Sequence, residues 1–239
     1  MVVHTSFRAV RPVDGGPVGL IEALGEALGP EGTLVMPTMS AGDAVFDPRT
    51  TPSVDMGVVA ETFRSLPGVV RSTHPGASFA ARGPHATGIC APQPLSPPHG
   101  HDSPVGRVLG LDGQVLLLGV GHSENTTLHL AEALAEVPYW QAYETVVGAG
   151  STVQIPETDH CCRGFAMADR WLKGAQVVGR VGSAVARLVG SRALIDAVVP
   201  RLKAEPLMFL CAPELGCEEC DAARASVGRP VPAVPSGKW

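Results

Sequence analysis

The stretch QVLLLGVGHSENTTLHLAE, residues 114–132, decides the fold. Val115, Leu116, Leu117 and Leu118 are apolar without alternation, the mark of a strand covered on both faces of its sheet. The run breaks at Gly119 and Gly121 and reaches Asn125, a residue suited to cap a helix. A helical pattern then continues over 126–137 and stops at Pro138. Strand, turn and helix in that order belong to an open α/β sheet. In such sheets ligands bind beyond the carboxyl ends of the strands, so this turn is where chemistry is expected.

His129 falls in the first turns of that helix. The positive helix end disfavours imidazolium, so the ring is expected to be neutral and available as a base near neutral pH. Thr126 one turn before it and Glu132 one turn after it share its face. The same spacing also describes a surface or core histidine with no chemistry.

The segments around it repeat the alternation of strand and helix. Short apolar runs bounded by Gly, Pro or Asp predict further buried strands at 1–4, 33–36 and 207–210. Residues 18–28 place Leu20, Ile21, Leu24, Ala27 and Leu28 on one helical face and end at Gly29-Pro30. A shorter helix is expected over 58–65, with weaker helical patterns over 165–173, 183–189 and 192–202. The whole is read as one α/β domain over residues 1–228, followed by a loose Pro-rich tail over 229–239. Residues 86–106 form an irregular stretch rich in Pro and His, and a long loop inside a compact domain is usually functional.

Composition narrows the function. Of 239 residues 45% are hydrophobic, enough for a buried core. Lys and Arg number 18 against 23 Asp and Glu, a net charge of −5, which disfavours nucleic acid as a partner and suits a cationic ligand. No apolar run is long enough to cross a membrane and no export signal opens the chain, so a cytoplasmic protein with reduced thiols is expected. Six cysteines in a chain of this length do not make a disulfide scaffold. Neither a Walker-type phosphate loop nor a Gly-x-Ser-x-Gly elbow occurs.

Three further places attract attention. STHPGASFAARG, residues 72–83, offers Ser72, Thr73 and Ser78 as small donors, with Gly76 and Gly83 allowing close backbone approach. It reads as a phosphate cradle or, more plainly, as a turn followed by a strand. ETDHCC, residues 157–162, places Glu157 and Asp159 on one side of an extended segment, where they would orient a histidine, bind a cation or simply face solvent. Cys217 and Cys220 form one C-x-x-C without a second pair at zinc spacing. Cys161, Cys162 and His160 would complete a site only if the fold brought them close, so no metal ion is expected.

Taken in order, VHTSFRAV, PVGLIEALGEALGPEGTLVMPT, RSTHPGASFAARGPHA, HDSPVGRV, VLLLGVGHSENTTLHLAE, DHCCRGFAMADRWL and GCEECDAARASVG resemble the aminoglycoside N(3)-acetyltransferases over about residues 2–228. The resemblance implies an α/β fold with a central mixed sheet flanked by helices. That fold is distinct from the larger acetyltransferase superfamily marked by Gln/Arg-x-x-Gly-x-Gly/Ala, a motif that is absent here. It implies acetyl transfer from acetyl-CoA to the 3-amino group of the 2-deoxystreptamine ring of aminoglycoside antibiotics, by direct attack and without an acyl-enzyme, and hence antibiotic resistance.

For the site, the resemblance implies His129 as general base, Glu157 as the carboxylate that orients it (Asp159 standing second for that role), and Thr126 as donor to the thioester carbonyl. It implies Thr5, Ser6, Phe7, Arg71, Ser72, His74, Ser78 and Ser103 as contacts to coenzyme A. Asp43, Asp47 and Asp159 would meet the ammonium groups of the drug. His4 and His101 lie in the same motifs with no chemistry assigned. Family members normally carry a helix ahead of VVHTSF. A monomer is expected.

Two alternatives stand beside this reading. One is an acetyl-CoA-dependent enzyme of the same fold acting on a non-drug amine. The other is a CoA-binding or drug-sequestering protein without turnover. Several carboxylates in the pocket would favour a polycationic substrate, and a monoamine would need one.

Overall fold

The computed structural model describes residues 1–148 and 150–237. From the amino end come β1 (Val2–Thr5), α1 (Phe7–Val10), α2 (Gly16–Leu28), β2 (Leu34–Pro37) and α3 (Gly57–Arg64). Next are β3 (Val70–Arg71), β4 (Phe79–Arg82), α4 (Ala86–Ile89), α5 (Pro104–Gly110), β5 (Gln114–Leu118) and α6 (Thr127–Ala135). The chain continues through β6 (Gln141–Val147), β7 (Ser151–Glu157), α7 (Ala168–Trp171), β8 (Gln176–Val181) and β9 (Ala184–Gly190). It ends with α8 (Ser191–Ala204) and α9 (Glu218–Ser226).

Seven strands form one mixed sheet in the order β3-β4-β2-β1-β5-β9-β8, and β6 and β7 form a separate hairpin. Central β1 runs parallel to both β2 and β5, while the outer neighbours are antiparallel. The period of two along the central strands supplies both layers of core. Val2, Val35, Val115 and Leu117 pack on the side that carries Leu128, Leu130, Leu194 and Val198. Val3, Leu34, Met36 and Leu118 pack on the other, with Leu20, Ile21, Val59 and Phe63. A sheet apolar on both faces has to be covered on both, and α2 and α3 cover one face while α6 and α8 cover the other.

The mixed α/β sheet flanked by helices agrees with the sequence reading. The expected helices over 18–28, 58–65, 126–137 and 192–202 appear as α2, α3, α6 and α8. Two segments differ. The expected helix over 183–189 is instead strand β9 (Ala184–Gly190), which closes a hairpin with β8 around Gly182 at φ +57°. The expected strand at 207–210 is a turn: Phe209 is fully buried and drives into the main core, but the segment has no strand beside it. A short buried apolar run carries the same pattern whichever backbone it adopts. The segment 229–237 has no helix or strand, yet Val234 packs on the cluster of Leu95, Val147 and Ile155 beneath the β6–β7 hairpin. No helix among the described residues is long and apolar enough to cross a membrane.

Candidate active site

The carboxyl ends of β1, β2 and β5 open on the same side. Gly119, immediately after β5, has φ +73°, and a Cβ there would lie 2.7 Å from the Ala9 Cβ. Only glycine lets the chain turn this close to the loop after β1, where the Ser6 amide donates to the Leu118 carbonyl at 3.0 Å. The turn ends at Asn125, whose side-chain oxygen accepts from the Thr127 amide at 3.1 Å and starts α6, as expected of a cap.

His129 sits one turn into α6. Its Nδ1 lies 2.8 Å from Glu132 Oε2, a pairing that the i, i+3 spacing on a helix produces directly. Glu132 has no exposed surface, and its other oxygen accepts from His160 Nε2 at 2.8 Å and from the Tyr139 hydroxyl. His160 Nδ1 accepts from the Cys162 amide at 3.0 Å, so its proton is on Nε2, facing the carboxylate. By the same logic His129 presents a protonated Nδ1 to Glu132 and leaves Nε2 outward, 3.5 Å from the Cys162 sulfur. Phe165 packs edge-on against both imidazoles.

Burial raises the cost of a charged Glu132, but its hydrogen bonds to His129 and His160 outweigh it and hold the carboxyl down to about 2. Burial likewise opposes a charge on His129. Hydrogen bonds to Cys162 and Glu132, with the carboxylate's charge, win and hold the imidazole well above its ordinary value. These interactions favour the imidazolium, against the helix end that disfavours it.

Glu157 does not reach His129 Nδ1, whose partner is Glu132; its own partner is His99, at 2.6 Å from Nδ1. His99 stacks on His129 with ring centroids 5.4 Å apart. Asp159 stands beside Glu157, its carboxyl raised above the ordinary range by partial desolvation and by that neighbouring charge.

Two cavities adjoin at this place. One, of about 410 Å³, is lined by His129, His99, Glu157, Asp159, Cys162 and Tyr143, among others. The other, of about 350 Å³, is lined by His4, Thr5, Ser6, Phe7 and Arg8. Thr126, Glu124 and Met56 line both. In the second, His4 Nε2 and Thr5 Oγ1 are buried with no hydrogen-bond partner among the described residues, and so are available to a ligand.

Several expected residues lie elsewhere. Arg71 is buried, and its guanidinium bonds Thr38, Ser78 and the Thr51 carbonyl while lying over the Phe46 ring. It ties the loop after β2 to β4 and lines neither cavity. Ser72 accepts from the Phe79 amide, His74 bonds Leu95 and Ala77, Ser78 donates to Thr38, and Ser103 caps α5. All four are buried and line neither cavity, while Gly76 of the same 72–83 segment lines the first cavity. Asp43 and Asp47 also lie outside both cavities; Asp47 accepts from the Arg49 amide within its own loop.

Spacing in the sequence does not reveal His99, His160 and Cys162 as neighbours of His129, nor Tyr139 as a partner of Glu132. The one signal it held was His129-x-x-Glu132. The other contacts join segments far apart in the chain, and no spacing announces them.

Residues 2–203 match the sequence model of the family described as aminoglycoside 3-N-acetyltransferase. The chain belongs to this family. It is 55% identical over 224 residues to aminoglycoside N(3)-acetyltransferase IV of Salmonella sp., covering 90% of this chain and 85% of that one. It is similar in structure to the aminoglycoside acetyltransferase AAC(3)-IVa, solved as a His-to-Ala mutant in complex with a gentamicin. There the TM-score is 0.90 at 55% identity, over 95% of this chain and 90% of that one. A more distant structure, AAC-IIIb in binary complex with CoASH, matches with a TM-score of 0.75 at 28% identity, over 85% of this chain and 89% of that one. The protein is accordingly an acyltransferase of the aminoglycoside 3-N-acetyltransferase family, a family of antibiotic-resistance enzymes.

Proposed function

We propose that this member transfers acetyl from acetyl-CoA to the 3-amino group of the 2-deoxystreptamine ring of an aminoglycoside, by direct attack with His129 as general base. The observation that carries the reading is the junction of the two cavities at Thr126, one helical turn from His129. A thioester in one cavity and an amine in the other meet there, and no intermediate carrier is needed.

In this reading Thr5, Ser6 and Phe7, with His4 and Arg8, hold coenzyme A. The amine enters beside His129 Nε2, displacing the Cys162 thiol from it. Glu124, Glu157 and Asp159 supply several carboxylates to the drug cavity, which favours a polycation over a monoamine. The nitrogen–carbon bond forms as the amine proton passes to Nε2, and Thr126 donates to the carbonyl oxygen as charge grows on it. The carbon–sulfur bond then breaks, and the imidazolium returns its proton to the departing CoA sulfur. Glu132 fixes the tautomer and stabilises the imidazolium throughout, the part the resemblance had given to Glu157.

Cys162 against Nε2 is also the arrangement of a thiol nucleophile activated by histidine, which would carry the acetyl as a thioester. Mass spectrometry of the drug and of the protein separates the two. Direct transfer requires a singly acetylated aminoglycoside, a loss of roughly 10²- to 10⁴-fold in kcat for His129→Ala, and turnover retained in Cys162→Ala. An acetylated Cys162 in the wild type, with an inactive Cys162→Ala that still binds drug, would replace direct attack by the covalent route.

A further inference from the structure

Cys161, Cys211, Cys217 and Cys220 come from three separate loops and helix ends, yet their sulfur atoms all lie within 4.8 Å of one another. Cys161 is 3.4 Å from Cys211 and 3.5 Å from Cys220, too long for a disulfide, and all six cysteines are free. A zinc ion at its usual distance of about 2.3 Å from sulfur holds four thiolates about 3.8 Å apart in a tetrahedron. The observed sulfur spacings bracket that figure. We propose that these four cysteines form a structural zinc site that fastens the carboxyl-terminal segment to the loop behind His129.

Three observations beyond the spacing support it. Cys217 sits at the amino end of α9 with Cys220 one turn on, and the Cys220 amide donates to the Cys217 sulfur, while the Arg163 amide donates to that of Cys161. Amide donors to sulfur are the usual outer partners of metal thiolates. The cluster also lies where apolar packing is thin. Its buried core consists of Tyr139, Leu210, Cys220 and Ala223, and α9 is a largely polar helix of nine residues. So small a core gains most from a metal staple. Finally, the site closes with Arg224, whose guanidinium bonds the Cys211 carbonyl and offsets the negative charge of a tetrathiolate.

One C-x-x-C with Cys161, Cys162 and His160 as its candidate partners gives no metal expectation from sequence. The fold keeps Cys161 in the cluster, turns His160 and Cys162 toward Glu132 and His129, and brings in Cys211. Cys161 lies between His160 and Cys162 in sequence, so a metal there pins the loop carrying both. Tyr139, in the same small core, hydrogen-bonds Glu132. On binding, the four thiols release their protons to solvent and Zn²⁺ takes their place, with no change of oxidation state.

The test is metal content, which does not depend on which substrate the enzyme takes. Chain purified without chelators or a histidine tag should carry about one zinc per chain by plasma mass spectrometry. A thiol-directed mercurial should release that zinc. Cobalt exchanged into the site should show the strong thiolate charge-transfer and visible bands of a tetrahedral sulfur site. Cys217→Ser with Cys220→Ser should lower zinc content roughly tenfold or more, and Cys90→Ser, outside the cluster, should leave it unchanged. Folded wild-type chain that holds no zinc after growth in zinc-supplemented medium would overturn the site, as would disulfides found by mass in its place. If the double variant fails to fold, the zinc content and cobalt spectrum of the wild type still decide.

Discussion

At the scale of single residues, the behaviour of this protein turns on Glu132. It is a buried carboxylate that accepts from two imidazoles and a phenol. The Cys162 hydrogen bond, together with the hydrogen bond and charge of Glu132, holds His129 above the ordinary histidine range, so the base form of His129 appears only as pH rises through that elevated value. The acid limb of kcat against pH is therefore expected above pH 6.5, the unperturbed histidine value. Glu132→Gln removes the charge but keeps the shape. It should move that limb to lower pH and at the same time reduce the maximal rate by roughly 10-fold or more, because the imidazolium loses its partner. Glu157→Gln touches His99 and should act mainly on KM for the drug while the limb stays in place. A pH profile for both variants checks the assignment; a limb that moves in Glu157→Gln and not in Glu132→Gln would return the orienting role to Glu157.

At the scale of elements, the junction of β5 with α6 positions the base. Its geometry depends on Gly119, which occupies left-handed backbone against the loop after β1. Gly119→Ala should cost about 1–3 kcal/mol through backbone strain. It should also lower activity, because the loop it would push on carries Ser6 and Phe7 of the second cavity. Gly110→Ala at the end of α5 meets nothing within 4 Å and serves as the control, neutral or slightly stabilising. Thermal unfolding and steady-state kinetics on the two variants distinguish a strained junction from a general intolerance of side chains.

At the scale of the whole molecule, the buried histidines set the pH range of stability. His4 and His74 are held neutral by burial, down to about 3 and about 4. Below pH 6.5 the unfolded chain takes up protons at both that the folded chain refuses. Stability therefore falls with pH at up to about 1.4 kcal/mol per unit for each group. Glu132 adds to the loss between 4.5 and about 2, where the unfolded carboxylate protonates and the folded one does not. His129 acts in the opposite sense: its raised value contributes stability that is complete below 6.5 and is lost as pH rises through the folded value. The greatest resistance to urea is thus expected near pH 6.5, and His74→Asn should flatten the slope below it. A urea midpoint that is constant from pH 6.5 to 4.5 would contradict the burial of neutral imidazoles.

What the sequence alone determined is whatever depends on near neighbours. The unbroken apolar run 115–118 sets a strand covered on both faces, the face of Leu20, Ile21 and Leu24 sets α2, and Asn125 sets the start of α6. His129 and Glu132 were legible as one pair because an i, i+3 spacing is a distance once the helix is granted. The ordered motifs also disclosed the family. Only the tertiary structure decided the rest. It alone shows that Glu157 belongs to His99, that Arg71 is spent inside the fold, that 183–189 pairs as a strand, and that Cys211 joins Cys161, Cys217 and Cys220. Each of these is a contact between segments that can lie tens of residues apart, such as the 33 positions between Thr38 and Arg71 or the 59 between Cys161 and Cys220. Local propensity carries no record of such distances. They are set when the two faces of the sheet are covered and the loops at its carboxyl edge are forced together.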